Sequence, residues 1–247
     1  MPKKKSKKSQ RHEQILDALR LDPAKRVNEL ALALNVSSET IRRDLAELDA
    51  KGSIRRTYGG AVRTSAREPA LDERLKLYVP ERERIARKTI ELIADVDSLF
   101  VGGGATTLHF SQALKAQDRH LTVLTASLEV AMELATNPRF AVISLPGAVE
   151  SKEGMVHGPE TLRFISEYNV QAAIIGASAV DARGVTEALP AAADVYSAMI
   201  RQAEHTYIVA DQSKLGKTSL KRILRWNANA TLVTDVELPS TLSQALT

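Results

Sequence analysis

Four arginines stand close together in VSSETIRRDLAELDAKGSIRRTYGGAV, Val36 to Val62: Arg42 with Arg43, and Arg55 with Arg56. A guanidinium offers a planar fork of donors that fits phosphate oxygens and the major-groove edge of guanine, so this set suits a polyanion with readable edges. A second candidate is VGGGATTLHF, Val101 to Phe110. Here Gly102, Gly103 and Gly104 permit close approach of backbone, while Ala105, Thr106 and Thr107 open a helical pattern whose free amides and dipole favour an anion. The same glycines equally fit a plain strand-to-helix turn. The chain has no cysteine and five scattered histidines, so thiolate chemistry is excluded and neither a metal site nor a cofactor is expected.

Charge is unevenly shared. Residues 1–63 hold 15 Lys and Arg against 8 Asp and Glu, a net +7, and the rest of the chain is −3. The N-terminal quarter therefore carries the electrostatic footprint of a nucleic-acid binder, and double-stranded DNA is its expected partner. At 247 residues and 44% hydrophobic composition, the chain has room for a small domain joined to a larger one with a proper core. No run of about 18 apolar residues could span a bilayer, and no apolar segment follows the basic start, so a cytoplasmic protein with no membrane partner is expected.

Stepping along the chain, residues 1–9 read as a basic disordered tail and residues 10–63 as three short helices and a hairpin. Ile15, Leu16 and Leu19 form one apolar stripe, Leu30 and Leu34 a second, and Ile41, Leu45 and Leu48 a third. Between the second and third, Asn35-Val36-Ser37 is a tight turn in which Ser37 can cap the next helix. This is helix-turn-helix punctuation. With the third stripe facing inward, Ser38, Glu39, Thr40, Arg42 and Arg43 fall on the N-terminal half of the helix, the half that enters a major groove. SIRRTYGGAV then predicts a wing with a Gly59-Gly60 turn, bringing Arg55, Arg56 and Tyr58 to the DNA.

Residues 64–80 carry two prolines and no sustained period, which predicts a linker with one short helix. In residues 81–247, six near-continuous apolar runs are strand-like: SLFVG, LTVLTAS, FAVISLPG, AAIIGAS, TYIVAD and ATLVTD. Helical patterns lie between them, at 82–93, 108–115, 128–135, 159–167 and 191–203. Such alternation predicts a mainly parallel α/β domain covered on both faces. Ligands bind such sheets beyond the carboxyl ends of the strands, which is where the glycine loop falls.

TIRRDLAELDAKGSIRRTYGGAV closely resembles the signature of the DeoR family of bacterial transcriptional regulators, and the resemblance continues through ERIARKTIELI, TVLTASLEVA, IIGAS and VADQSKLGK. It implies a winged helix-turn-helix followed by a sugar-phosphate-sensing domain with a fold akin to ribose-phosphate isomerase. Carried onto this chain, it implies an effector site built from Gly103, Gly104, Ala105, Thr106, Thr107, Ser127, Gly176, Ser178, Asp181 and Lys214. It also implies a repressor of a carbohydrate or polyol operon, relieved by a phosphorylated sugar or polyol; one recognition helix per chain gains affinity by pairing half-sites, so a homodimer or higher homo-oligomer is expected. The chain departs from the family pattern at Gly102, where an aspartate is usual, and at Ala105, Ala126, Ala148, Gln171 and Tyr196, the last where many members carry lysine. These departures are expected to alter the same ligand site.

Two other readings compete. An isomerase-like enzyme with an accessory DNA-binding domain would need a carboxylate base beside its substrate, and the acid before the glycine loop is absent. No catalytic residue is therefore assigned. The other is a regulator whose sensor has lost its ligand.

Overall fold

The computed structural model describes residues 7–21, 27–50, 55–57, 60–62, 70–238 and 240–244. The chain divides into two compact units, Met1–Pro69 and Ala70–Thr247.

In the first unit, helices α1 (Lys7–Leu21), α2 (Val27–Ala33) and α3 (Ser38–Ala50) precede a hairpin of β1 (Arg55–Thr57) and β2 (Gly60–Val62). The three apolar stripes can be buried only against one another, and Ile15, Leu30, Ile41, Leu45 and Leu48 form one core. Leu16 and Leu34 pack at its edge, while the Leu19 side chain lies outside the described residues. Helix α1 starts at Lys7, inside the segment expected to be tail. The reason is tertiary: Lys8 Nζ lies 2.6 Å from Glu47 on α3, so the first turn has a partner. In the hairpin Thr57 pairs with Gly60, so Gly60 begins the return strand and the connection is residues 58–59. This replaces the expected Gly59-Gly60 turn.

The second unit begins earlier than the expected boundary at residue 81. Helix α4 (Leu71–Arg74) buries Leu71 and pairs Arg74 with Glu153, and α5 (Val79–Leu92) starts at Val79. Residues 70–80 therefore belong to this unit and not to a linker. Then follow β3 (Ser98–Val101), α6 (Ala105–Leu114), β4 (Leu121–Thr125), α7 (Leu128–Leu134), β5 (Phe140–Ser144), β6 (Ala148–Glu150), β7 (Met155–His157), α8 (Pro159–Ser166) and β8 (Val170–Gly176). The chain continues through β9 (Ala179–Asp181), β10 (Gly184–Glu187), α9 (Pro190–Arg201), β11 (Ala203–Val209), β12 (Lys221–Leu224), β13 (Ala230–Val233) and α10 (Ser240–Ser243).

The six expected strands form one parallel sheet in the order β13-β11-β8-β3-β4-β5. Alternate residues enter opposite cores. Leu99, Val101, Ala172 and Ile174 meet α5, α6 and α7 on one face. Phe100, Ala173 and Ile175 meet α8 and α9 on the other. The chain enters the sheet at β3, fills β4 and β5 outward, then returns to place β8 on the other side of β3. That reversal between β3 and β8 is a topological switch point, where loops leave toward opposite faces and open a crevice at the carboxyl ends. The hairpin β6-β7 and the antiparallel sheet β12-β10-β9 were not foreseen, because strands of three or four residues carry too little period to read.

Candidate functional site

The recognition helix is assembled as its residue types dictate. Asn35 takes a left-handed conformation, φ 50°, and the turn delivers Ser37 to the head of α3, where its Oγ accepts from Thr40 N at 3.1 Å. Ser38 Oγ donates to Asn28 Oδ1 at 3.0 Å, bracing α3 against α2. Thr40 Oγ1 lies 2.9 Å from Ser37 Oγ. Of the expected base-reading residues, Glu39, Arg42 and Arg43 are exposed on the outer face, with Arg43 furthest out at 79% side-chain exposure against 58% for Arg42. Glu39 holds both guanidiniums in loose pairs at 3.8 and 3.5 Å. Exposed pairs of this kind are worth about 0–1 kcal/mol, so both arginines remain available to DNA.

Sequence reasoning missed the clamp behind this helix. Asp44 is buried and accepts from Arg11 Nε at 2.5 Å and from Arg11 Nη2 at 3.1 Å, while His12 Nε2 lies 3.1 Å away. Burial raises the Asp44 pKa, but the bonds from Arg11 and His12 outweigh that and hold it below its ordinary value. The clamp fixes α3 against α1. A signal existed: Asp44 stands inside the stripe Ile41, Leu45, Leu48, where an acid needs a buried partner.

Arg42→Ala or Arg43→Ala is expected to weaken operator binding by about 5- to 150-fold, the equivalent of about 1–3 kcal/mol for one bidentate guanine contact, and to blur sequence choice. Titrating each variant against operator and random duplexes checks this; two variants that match wild type on both remove α3 from the major groove. For the wing, the backbone of Arg55 and Arg56 is described in β1. Their side chains and Tyr58 lie outside the described residues. Arg55→Ala should lower affinity evenly across sequences and reduce the log-log salt slope by about 1. An unchanged slope would return that arginine to solvent.

In the second unit the glycine loop lies at the switch point. Gly104 has φ 114°, a conformation that side chains other than glycine rarely adopt, and it turns the chain from β3 into α6. Thr107 Oγ1 donates to Gly104 O at 2.9 Å and closes that turn. Thr106 is 9% exposed and so is not solvent-facing as its place in a polar loop suggests. Ser127 and Gly176 converge on the same loop. A methyl added to Gly103 would sit 3.4 Å from Ser127 Cβ, and one added to Gly176 would sit 3.5 Å from Gly103 O. Ser127 also caps α7, accepting from Val130 N at 3.3 Å.

Of the other expected site residues, Ser178 and Asp181 are bound to partners outside the loop. Ser178 Oγ donates to Glu187 Oε1 at 2.8 Å, and the same oxygen accepts from Ala188 N and Leu189 N at the head of α9. Asp181 is held within the β9-β10 turn. Its carboxylate accepts from Thr218 Oγ1 at 2.6 Å and Arg183 N at 2.8 Å, and it pairs with the Arg183 guanidinium at 2.9 Å. These bonds outweigh partial burial and bring its pKa down to about 2, so it stabilises the β9-β10 turn. Lys214 ends a short 3-10 turn, Gln212–Lys214, past the carboxyl end of β11. Asp211, fully buried, accepts from Arg82 Nε and Nη2 at 3.3 Å and from the Ser213 hydroxyl.

Of the family departures, Gln171 does not reach the crevice. It lies at the amino end of β8, five residues or about 16 Å of strand from Gly176, with its Oε1 accepting from Asp97 N at 2.6 Å and Ser98 N at 3.2 Å. Ala126 is buried in the core and Ala148 is exposed on β6. Tyr196 is central. Its Oη donates to Gly103 O at 3.1 Å, and burial, with the charges of Glu187 and Glu153, raises its phenol pKa. Among the described residues, no group of three or more His, Cys, Asp or Glu is placed to hold a metal ion, and no helix is long and apolar enough to cross a membrane.

Comparison with known proteins agrees with both parts. Residues 11–67 match the family model of the DeoR-like helix-turn-helix domain and residues 78–236 that of the DeoR C terminal sensor domain. The chain is 31% identical to the glycerol-3-phosphate regulon repressor of Escherichia coli, over 98% of this chain and 96% of that one. It is also 31% identical to the transcriptional repressor GlcR of Bacillus subtilis, over 90% and 86% of the two chains. Among solved structures, the tetrameric eIF2B-beta2-delta2 complex from C. thermophilum aligns with 99% of this chain and 81% of that one at 13% identity and a TM-score of 0.50, a likeness of fold. Ribose 5-phosphate isomerase A from Methanocaldococcus jannaschii aligns with 58% of this chain and 55% of that one at 17% identity and a TM-score of 0.41.

Proposed function

This chain belongs to the DeoR family of transcriptional regulators, and on that premise we propose that it represses a carbohydrate or polyol operon until a phosphorylated sugar or polyol binds its sensor unit. It is a DNA-binding regulator and not an enzyme. One observation supports the effector assignment: the Gly103 backbone, at the head of α6, meets Ser127 and Gly176 at the β3/β8 switch point. An anion there gains the helix dipole and several unpaired amides at once. Lys214, past the carboxyl end of β11 on the same edge of the sheet, would add a charge-assisted contact.

The relatives named for glycerol-3-phosphate make short polyol phosphates the first candidates. A helix-turn-helix protein with one recognition helix per chain gains affinity by pairing half-sites, so a homodimer or higher oligomer on a cytoplasmic operator completes the reading. A thermal-shift screen of three- to six-carbon polyol and sugar phosphates tests it, because a ligand at ~100 times its dissociation constant adds about 2.7 kcal/mol to stability. A stabilising compound should also release operator DNA. If no phosphorylated compound stabilises the protein, the ligand-free regulator becomes the better reading.

A further inference from the structure

The site contains a residue whose position bears on which ligand it accepts. Tyr196 comes from α9, on the opposite side of the sheet from α6, and reaches across the switch point. Its Cε1 lies 3.1 Å from where a methyl on Gly102 would be, and its Oη lies 3.4 Å from the equivalent point on Gly103. The ring, itself 5% exposed, therefore occupies the space beside both glycines. Its hydroxyl donates to Gly103 O. Among the described residues every peptide is trans. In a trans peptide the carbonyl and the following N–H point in opposite directions. Holding Gly103 O on the phenol thus turns Gly104 N–H away from Tyr196, toward the side on which α6 presents its own free amides.

We propose that Tyr196 determines the specificity of the effector site: the hydroxyl orients the loop for the anion, and the ring excludes long ligands, so that the site selects a short-chain phosphorylated polyol. The proposal rests on the anion site described above. It divides one residue into two separable parts, which two substitutions distinguish. Tyr196→Phe keeps the ring and removes the bond to Gly103. Tyr196→Leu removes the ring while keeping an apolar side chain in the core.

The experiment measures the affinities of full-length wild type, Tyr196→Phe and Tyr196→Leu for glycerol 3-phosphate and glucose 6-phosphate by calorimetry. Circular dichroism melts establish that each protein is folded. Wild type should favour the three-carbon ligand. Tyr196→Phe should weaken both ligands alike, by about five-fold for one lost hydrogen bond, with their ratio unchanged. Tyr196→Leu should move the ratio toward the six-carbon ligand by ten-fold or more. An equal ratio in wild type and Tyr196→Leu overturns the proposal while leaving the anion site standing. So does wild-type affinity in Tyr196→Phe, for the orienting part. Should Tyr196→Leu not fold, Tyr196→Met replaces it in the same comparison. If neither wild type nor either variant binds either phosphate, the anion site itself is wrong and the proposal falls with it.

Discussion

Substituting methionine for Arg82 is expected to destabilise the sensor unit by about 3–5 kcal/mol, the usual consequence of leaving one member of a buried ion pair alone. Arg82 is 3% exposed and its partner Asp211 is fully buried. With Arg82 removed, the Asp211 carboxylate keeps only Ser213, through its amide at 3.0 Å and its hydroxyl, among the bonds described above. The same guanidinium also donates to Arg74 O, so α4 loses an anchor as well. The single tryptophan of the chain, Trp226, lies in this unit with its indole N–H bonded to Asp181 O. Its fluorescence therefore reports unfolding of the sensor alone. The melting midpoint should fall by roughly 10 °C for a unit of this size. Adding Asp211→Asn to the variant should recover part of the loss, because it removes the stranded charge. A loss below 1 kcal/mol would mean that water reaches Asp211 and that the pair contributes little.

Thr106→Asp should abolish the effector response. The new carboxylate would lie in the first turn of α6, which has no acidic residue of its own, where the proposed phosphate takes its amides. Because Thr106 is only 9% exposed, shape must be separated from charge. Thr106→Asn has nearly the shape of the aspartate and no charge, and it should retain most of the response. Operator titrations with and without a stabilising phosphate decide the matter. In Thr106→Asp, operator affinity should no longer depend on the ligand, and ligand-free DNA binding should stay within about two-fold of wild type, since coupling and basal affinity are separate quantities. A Thr106→Asp protein that still responds with wild-type coupling places the effector away from this loop.

Much of the architecture is written locally. The six sheet strands are legible because each is a short apolar run, the central β3, β4 and β8 being buried on both faces, and flanking residues mark it without reference to its neighbours. The recognition helix is legible for the same kind of reason. Ile41, Leu45 and Leu48 define its inner face, and geometry then puts Arg42 and Arg43 outside. The glycine loop and the start of α6 also follow from local conformation.

Which segments meet across the fold is a different matter, because it depends on the order of strands and not on the period of any one of them. Arg82 and Asp211 are 129 residues apart, and Tyr196 and Gly103 are 93 apart. Only the return of β8 to the side of β3 brings these loops together. The same topology sends Gln171 to the far end of β8 and leaves Asp181 tied into the turn with Arg183. Composition and spacing alone thus determined a DNA-binding helix and a parallel α/β domain, and the resemblance to the DeoR family added its sensing role. Tertiary structure decided that the acid-free glycine loop is filled by a tyrosine ring, because a side chain's role in a crevice is set by what the rest of the chain packs beside it.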